Sequence, residues 1–356
     1  MSDASGMKFL VVGLGSIGQR HVRVLQQLLG KKAQISAYRT RGLPMVINDQ
    51  MQVDRDRSPE EIYGLRVFKD FAEALDNKPD AVIVTNPNSL HVETALQAAR
   101  HGCHLFIEKP LSDNLDRVNE LIEVVREKNL VTFIGYQLRF HPGLKLIHDY
   151  LIKDAIGNVV SAHIHFGEYL PGMHPYEDYR KGFSARSNQG GGAILCLSHE
   201  IDYACWLFGV PRRVMAMGGH LSSLEIDVED TASMLFECFA NGRVVPVHVY
   251  LDFVQRPPSK HCRIIGEKGT LLWDYHESSV AFYDSDKKQW DKQIIFPFER
   301  TSMFREEMAH FLACIRGEET SLIPVEEGAS TLRAALAAQE SLREGRIVEV
   351  ADTPRN

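Results

Sequence analysis

The chain has 356 residues, 44% of them hydrophobic and 24% charged, with a formal net charge of −7 at pH 7. That length favours two domains over one, and the composition is that of a globular protein with a real core. The acidic balance without a basic block argues against nucleic acid as the main partner, and no run of about 18 apolar residues offers a membrane span.

The first predicted element is a short buried strand, Phe9 to Val12, followed by Gly13, Gly15 and Gly18 in G-x-G-x-x-G spacing. Apolar residues from Ile17 to Leu29 then recur at close to helical spacing. Strand, glycine turn and helix together are the context of a dinucleotide fingerprint: one glycine makes the turn, one admits a pyrophosphate, and one lets helix and strand pack. The candidate cradle is Gly13, Gly15, Ser16, Ile17 and Gly18. Ile35 to Tyr38 reads as the second strand. Its end, where an NAD site usually carries a carboxylate for the ribose 2′-hydroxyl, carries Arg39 and Arg41 instead. A planar, permanently charged guanidinium suits a 2′-phosphate, so NADP(H) is expected over NAD(H); the alternative is that both arginines are simply solvated.

Residues 42–64 are polar and read as an excursion with a short helix; Phe71 to Leu75 reads as another. Asp80 to Thr85 is a strand apolar on both faces, as in a parallel sheet. It ends in the turn Thr85-Asn86-Pro87-Asn88-Ser89, from which a helix runs to about Arg100 with His91 in its first turn. In an open α/β sheet this turn, at a strand's carboxyl end, faces the ligand. His104 to Ile107 is the next strand, ending at Glu108-Lys109-Pro110, where the lysine is placed to reach cofactor and substrate. A helix over about Asn114 to Lys128 and a strand over Val131 to Ile134 lead into Gly135-Tyr-Gln137-Leu-Arg139-Phe140. The alternation predicts an α/β, doubly wound parallel Rossmann domain over residues 1–140. The N-terminal residues Met1 to Gly6 show no charged-then-apolar signal pattern, so a cytoplasmic location is expected. The six cysteines lack CxxC spacing and are expected to be reduced and buried, with no metal site.

The glycine loop, the Thr-Asn-Pro-Asn turn with His91, Glu108-Lys109-Pro110 and Gly135-Tyr-Gln-Leu-Arg-Phe resemble, in order and spacing, the Gfo/Idh/MocA oxidoreductases. The resemblance implies a nicotinamide cofactor and hydride transfer at a sugar or cyclitol carbon. It adds Thr85, Asn86, Asn88, His91, Glu108, Lys109 and Gln137 to the cofactor set, gives Lys109 a catalytic role and sets Arg139 toward substrate.

After residue 141 the pattern changes. Pro142 to Ile152 reads as a helix and Val159 to Phe166 as a strand with alternating polarity. Further strands are expected at 214–218, 231–239, 244–250, 262–265, 270–273, 279–283 and 293–296, with terminal helices at 303–316 and 325–344. Strands without intervening helices predict an α+β domain, residues 141–356, built on a large, open, mainly antiparallel sheet. The resemblance implies a homodimer or homotetramer through that sheet. Residues 167–189 are long, polar and aromatic, and offer Tyr169, Tyr176 and Arg180 to a sugar or to a subunit contact; a mobile surface loop is the alternative. The run from Gly190 to Tyr203 resembles the family's second catalytic segment, with His199 and Asp202 in its His-x-x-Asp and Cys196 where an aspartate is expected. Imidazole suits proton transfer near neutral pH, so His199 is the acid/base candidate, with Cys196, Glu200 and Asp202 toward substrate. The expected activity is an NAD(P)-dependent sugar-type dehydrogenase. The alternatives are an enzyme that retains its cofactor for a net non-redox step and a non-catalytic cofactor sensor.

Overall fold

The computed structural model describes residues 6–30, 33–40, 45–294 and 298–350. Described residues up to Tyr136, with Arg300–Ala329, form one compact unit; Gln137–Glu299 and the residues from Ser330 onward form a second. Segment 300–329, which lies between the two parts of the second unit in chain order, thus belongs to the first.

The first unit is built on six parallel strands: β1 Lys8–Val12, β2 Gln34–Tyr38, β3 Arg66–Phe68, β4 Ala81–Val84, β5 His104–Ile107 and β6 Thr132–Ile134. Their spatial order is β3-β2-β1-β4-β5-β6, the doubly wound order that opens a crevice where the winding reverses, between β1 and β4. Phe9–Val12, Ala81–Val84 and Leu105–Ile107 are buried throughout, because helices cover both faces of a parallel sheet. The crossovers are α1 Ser16–Leu29, α2 His91–Arg100 and α3 Val118–Glu127. The helix Arg300–Ile315 packs against α1. Of the excursion after β2, the described part holds a small hairpin, Val46–Ile47 with Val53–Asp54, and a one-turn helix, Pro59–Tyr63. Ser58 caps that helix: its hydroxyl accepts from the Glu61 N–H, and the Glu61 carboxylate accepts from the Ser58 N–H.

The second unit carries nine strands: β7 Val159–Gly167, β8 Arg213–Gly219, β9 Thr231–Ala240, β10 Arg243–Asp252, β11 Ser259–Gly266, β12 Gly269–Asp274, β13 Ser279–Asp284, β14 Gln289–Ile294 and β15 Val348–Glu349. They are ordered β14-β13-β12-β11-β7-β10-β9-β8-β15. Every pair is antiparallel except β7 with β10, so the sheet is mixed rather than purely antiparallel. Its inner face is apolar: Ile164, Met234, Phe236, Val247, Ile264 and Trp273 are fully buried. Helix α4, Pro142–Ile152, packs on β12 and β13, and α5, His199–Phe208, on β7, β9 and β10. On the other face the register sets Met215, Leu235, His248, His163, Arg263 and Leu272 in one row across six strands. In the next row His165 stacks between Tyr250 and His261, with ring centroids 5.1 and 4.8 Å apart. Segment 167–189 is not structureless: it folds into short turns of helix at Leu170–Met173, Tyr179–Lys181, Phe183–Ala185 and Ser187–Gln189. Of the strand expected at 293–296, Gln293 and Ile294 end β14, and 295–296 lie outside the described residues. No helix among the described residues is long and apolar enough to cross a membrane. All six cysteines are buried, and none forms a disulfide.

Candidate functional site: a dinucleotide cradle and two clusters of charged residues

The three glycines of the first turn meet different surroundings. Gly13 has φ +98°, and a Cβ there would lie 2.9 Å from the Thr85 carbonyl oxygen. A Cβ on Gly18 would lie 2.1 Å from the Gly13 carbonyl oxygen and 2.8 Å from Thr85 Oγ1. Both are sealed against protein. A Cβ on Gly15 would meet no protein atom within 4 Å. Gly15 is the N-cap of α1, whose first turn has no acidic residue and no side-chain cap. Ser16 and Ile17 begin that helix. Its free N–H groups and positive dipole end therefore open onto the space beside Gly15, as a pyrophosphate requires.

Thr85, expected to touch the cofactor, instead braces the turn: its hydroxyl lies 2.9 Å from the carbonyl oxygens of both Val12 and Gly13. Asn86 follows at the carboxyl end of β4. Its amide donates to Thr94 Oγ1 at 2.9 Å, while its buried Oδ1 has no hydrogen-bond partner. An unmet acceptor at the mouth of the cradle fits a ligand that brings a donor. His91 is enclosed, its ring nitrogens 2.8 Å from the carbonyl oxygens of Pro110 and Asn86. Burial lowers its basicity although both carbonyls favour the cation. It clamps two loops together. Asn88 is buried in the single turn that precedes α2.

Glu108 also turns inward. Its Oε1 lies 2.7 Å from His21 Nε2, and its Oε2 accepts the Lys109 N–H at 3.2 Å. A Cβ on Gly135 would press on that carboxylate at 3.2 Å, which is why glycine stands there. Lys109 itself is half-buried beyond the end of β5, before a cis bond to Pro110.

Arg39, expected to receive a 2′-phosphate, is hydrogen-bonded to Glu60 of the one-turn helix. A carboxylate thus comes to the end of β2 from 21 residues downstream. Arg41 lies outside the described residues. Gln19 was not singled out by sequence. Its side chain donates to the carbonyls of Leu14 (3.0 Å) and Met45 (2.8 Å) and accepts from the Ile47 N–H (2.9 Å), tying the excursion to α1. A polar residue on a helix face that reads as buried is the signal that would have found it.

In the second unit the glycine run ahead of His199 is shaped by a residue that sequence reasoning missed, Glu229. A Cβ on Gly192, at φ +102°, would lie 2.4 Å from its carboxylate. Glu229 Oε1 accepts the Ile194 N–H, and its backbone carbonyl the Ala193 N–H, both at 3.0 Å. This seats the short helix Ala193–Cys196, in which Cys196 is buried, and leads to His199 at the N-terminus of α5. The acidic residues beside His199 are buried and paired within the second unit. Asp202 accepts from Arg139 in bidentate fashion (Nε to Oδ2 3.0 Å, Nη2 to Oδ1 2.8 Å), and both are buried. Glu200, fully buried, is 3.1 Å from Lys260 Nζ, which also sits 3.7 Å over the Phe166 ring. Arg139, Glu200 and Asp202, expected toward substrate, are thus paired in the interior, since a buried charge needs a partner. Arg180 is exposed and held by Asp178 at 2.8 Å and Glu225 at 3.0 Å. The Tyr169 ring carries Arg256 at 4.1 Å, and Tyr176 lies against His174. Gln137 is buried in the turn Gln137–Phe140 and is assigned to the second unit.

The glycines give a clean test. Gly18→Ala, pressed on backbone, should destabilise the protein by at least about 2 kcal/mol. Gly15→Ala should leave the thermal midpoint close to wild type while raising the Kd for nicotinamide dinucleotide about tenfold or more, read by fluorescence titration. Equal loss of stability in both variants would mean that Gly15 serves packing alone.

Residues 7–136 match a family model described as an oxidoreductase family, NAD-binding Rossmann fold, and residues 149–350 match its companion, the C-terminal alpha/beta domain. The chain is 27% identical over 358 residues to a myo-inositol 2-dehydrogenase of Thermotoga maritima, covering 97% of this chain and 98% of that protein. It is 23% identical over 349 residues to a D-xylose 1-dehydrogenase (NADP(+)) of Haloferax volcanii, covering 97% and 100%. A levoglucosan dehydrogenase solved in complex with NADH shares the fold at a TM-score of 0.81 and 18% identity, covering 98% of this chain and 100% of that one. The chain is a nicotinamide-binding member of the Gfo/Idh/MocA oxidoreductase family.

Proposed function

We propose that the protein is an NAD(P)-dependent dehydrogenase that moves a hydride between nicotinamide and a ring carbon of a sugar, sugar derivative or cyclitol. The observation that carries the reading is the open cradle at Gly15, with the unmet acceptor of Asn86 and the half-buried Lys109 at the carboxyl ends of the same sheet. The cofactor supplies the hydride chemistry, and the chain supplies position and proton transfer. Lys109 orients the reacting hydroxyl and assists its ionisation, and His199 takes or returns its proton. Tyr169 and Tyr176 offer apolar faces to a sugar. We place the enzyme in the cytoplasm, which its buried cysteines, none of them in a disulfide, support. We assign self-association as a dimer or tetramer to the outer face of the second unit's sheet, where Met217 and Leu235 are exposed.

For the cofactor we favour NADP(H), with Arg39 exchanging Glu60 for a 2′-phosphate. The Glu60 carboxylate supports a second reading, in which it accepts the ribose 2′-hydroxyl of NAD(H).

Three measurements test these assignments. With NAD⁺ and NADP⁺ and a panel of inositols, pentoses and hexoses, Lys109→Ala and His199→Ala should each lower kcat by about 10²-fold or more; wild-type rates in both would sink the acid/base roles. Arg39→Ala should weaken NADPH binding about tenfold and NADH little. Glu60→Gln should tighten NADPH if Arg39 is the selector, whereas weaker NADH binding in Glu60→Gln would favour the second reading. Leu235→Asp should shift the sedimentation coefficient to that of a smaller species, and an unchanged species would move the interface elsewhere.

A further inference from the structure

Beneath the Lys109 loop lies a cluster that the proposed chemistry does not use. His21 of α1, Glu108 after β5 and Glu307 of the helix Arg300–Ile315 are all buried, and one ligating atom of each lies within 4.8 Å of the others. His21 and Glu108 are joined at 2.7 Å. Glu307 is fully buried, and among the described residues neither of its carboxylate oxygens has a hydrogen-bond partner; nor does His21 Nδ1. The rings of Phe106 and Phe304 stand edge-on to His21, at 4.8 and 6.1 Å. The charged groups around the cluster are Arg20 on α1, which lies over the Phe304 ring, Lys109 beyond Glu108, and Arg300 on the helix of Glu307.

Two carboxylates buried within 4.8 Å of each other among aromatic rings do not both carry charge without a cost. A proton on Glu307 leaves Glu108 as the one anion of the two carboxylates, 2.7 Å from His21. Burial raises the Glu108 carboxyl, but the His21 hydrogen bond and charge, helped by Lys109, bring it below the ordinary value. Burial, then the charge of Glu108, push the Glu307 carboxyl well above its ordinary value against the pull of Arg20.

We propose that Glu307 is a positioning residue, a permanently neutral carboxylic acid that keeps Glu108 ionised in place and so holds the Lys109 backbone. The chain of contacts is short. Glu108 Oε2 accepts the Lys109 N–H, Glu108 Oε1 is fixed to His21, and His21 sits on the helix that opens at Gly15. Ionised Glu307 would set a second negative charge against Glu108, which would then take up a proton or turn away and release the Lys109 N–H. A neutral Glu307 instead sets a polar but uncharged group within 4.8 Å of Glu108.

The inference rests on the dehydrogenase reading only for its kinetic arm. The direct test is infrared difference spectroscopy of wild type against Glu307→Gln at pH 8. A carboxylic-acid C=O stretch that moves in D₂O and is missing from the variant is expected; the absence of such a band overturns the proposal. One equivalent of divalent metal in the purified protein, lost in the variant, would overturn it equally, by making the cluster a cation site. For function, Glu307→Leu should lower kcat about tenfold without changing KM, and Glu307→Gln, neutral and polar, should keep it near wild type with an unshifted pH profile. A Glu307→Leu enzyme with wild-type kcat per folded molecule would leave Glu307 a structural residue. A pH profile shifted by Glu307→Gln would show that Glu307 is charged. If Glu307→Leu does not fold, the infrared arm still decides. Failure of every sugar in the panel would touch the dehydrogenase reading and leave the infrared result standing.

Discussion

The tightest constraint in the first unit is the contact of Gly13, Gly18 and Thr85. Backbone meets backbone there at distances that leave no room for a side chain, and one hydroxyl lies against two carbonyl oxygens to hold it. This brings the start of α1 against the end of β4. The free N–H groups of the helix, the unmet acceptor of Asn86 and the approach to Gly15 follow from that contact. The excursion is fastened to the same helix through Gln19, so the carboxylate of Glu60 reaches the end of β2 in a fixed relation to the cradle.

Charge is handled inside the protein by pairing and by protonation. Arg139 with Asp202, and Lys260 with Glu200, are opposite charges brought together in the interior of the second unit. Removing one partner of such a pair leaves the other uncompensated and costs about 3–5 kcal/mol, so these side chains act on the fold before they act on any ligand. The trio His21, Glu108 and Glu307 meets the same problem without a full set of counter-charges.

Elements with long, regular periodicity were legible in the sequence. The helices Pro142–Ile152 and Val325–Glu344 have the bounds that their apolar spacing predicts, and the parallel strands show themselves as unbroken apolar runs. Strand β3 was not legible, because three residues beginning with an arginine carry no period. The glycine loop was legible because close packing demands one residue type at three fixed positions. The inward-turned acids were not. An Asp or Glu near a histidine looks the same in sequence whether it meets a ligand or a lysine some 60 residues away, as Glu200 does. Glu307 lies nearly 200 residues from Glu108, and only the fold brings the two together. The parallel pairing of β7 with β10 was hidden for a like reason: alternating polarity marks a strand with one covered face, not the direction of its neighbour.

The row of imidazoles on the outer face of the second sheet has a thermodynamic consequence. Burial lowers the basicity of His165, His248 and His261, so at neutral pH these rings add little charge to a surface that also carries Arg263. Anything that covers it must displace whatever protons it has gained in acid, and so association on this face is coupled to proton release. In acid, the heat of any such association would contain the ionisation enthalpy of the buffer, and its change from buffer to buffer would give the number of protons released.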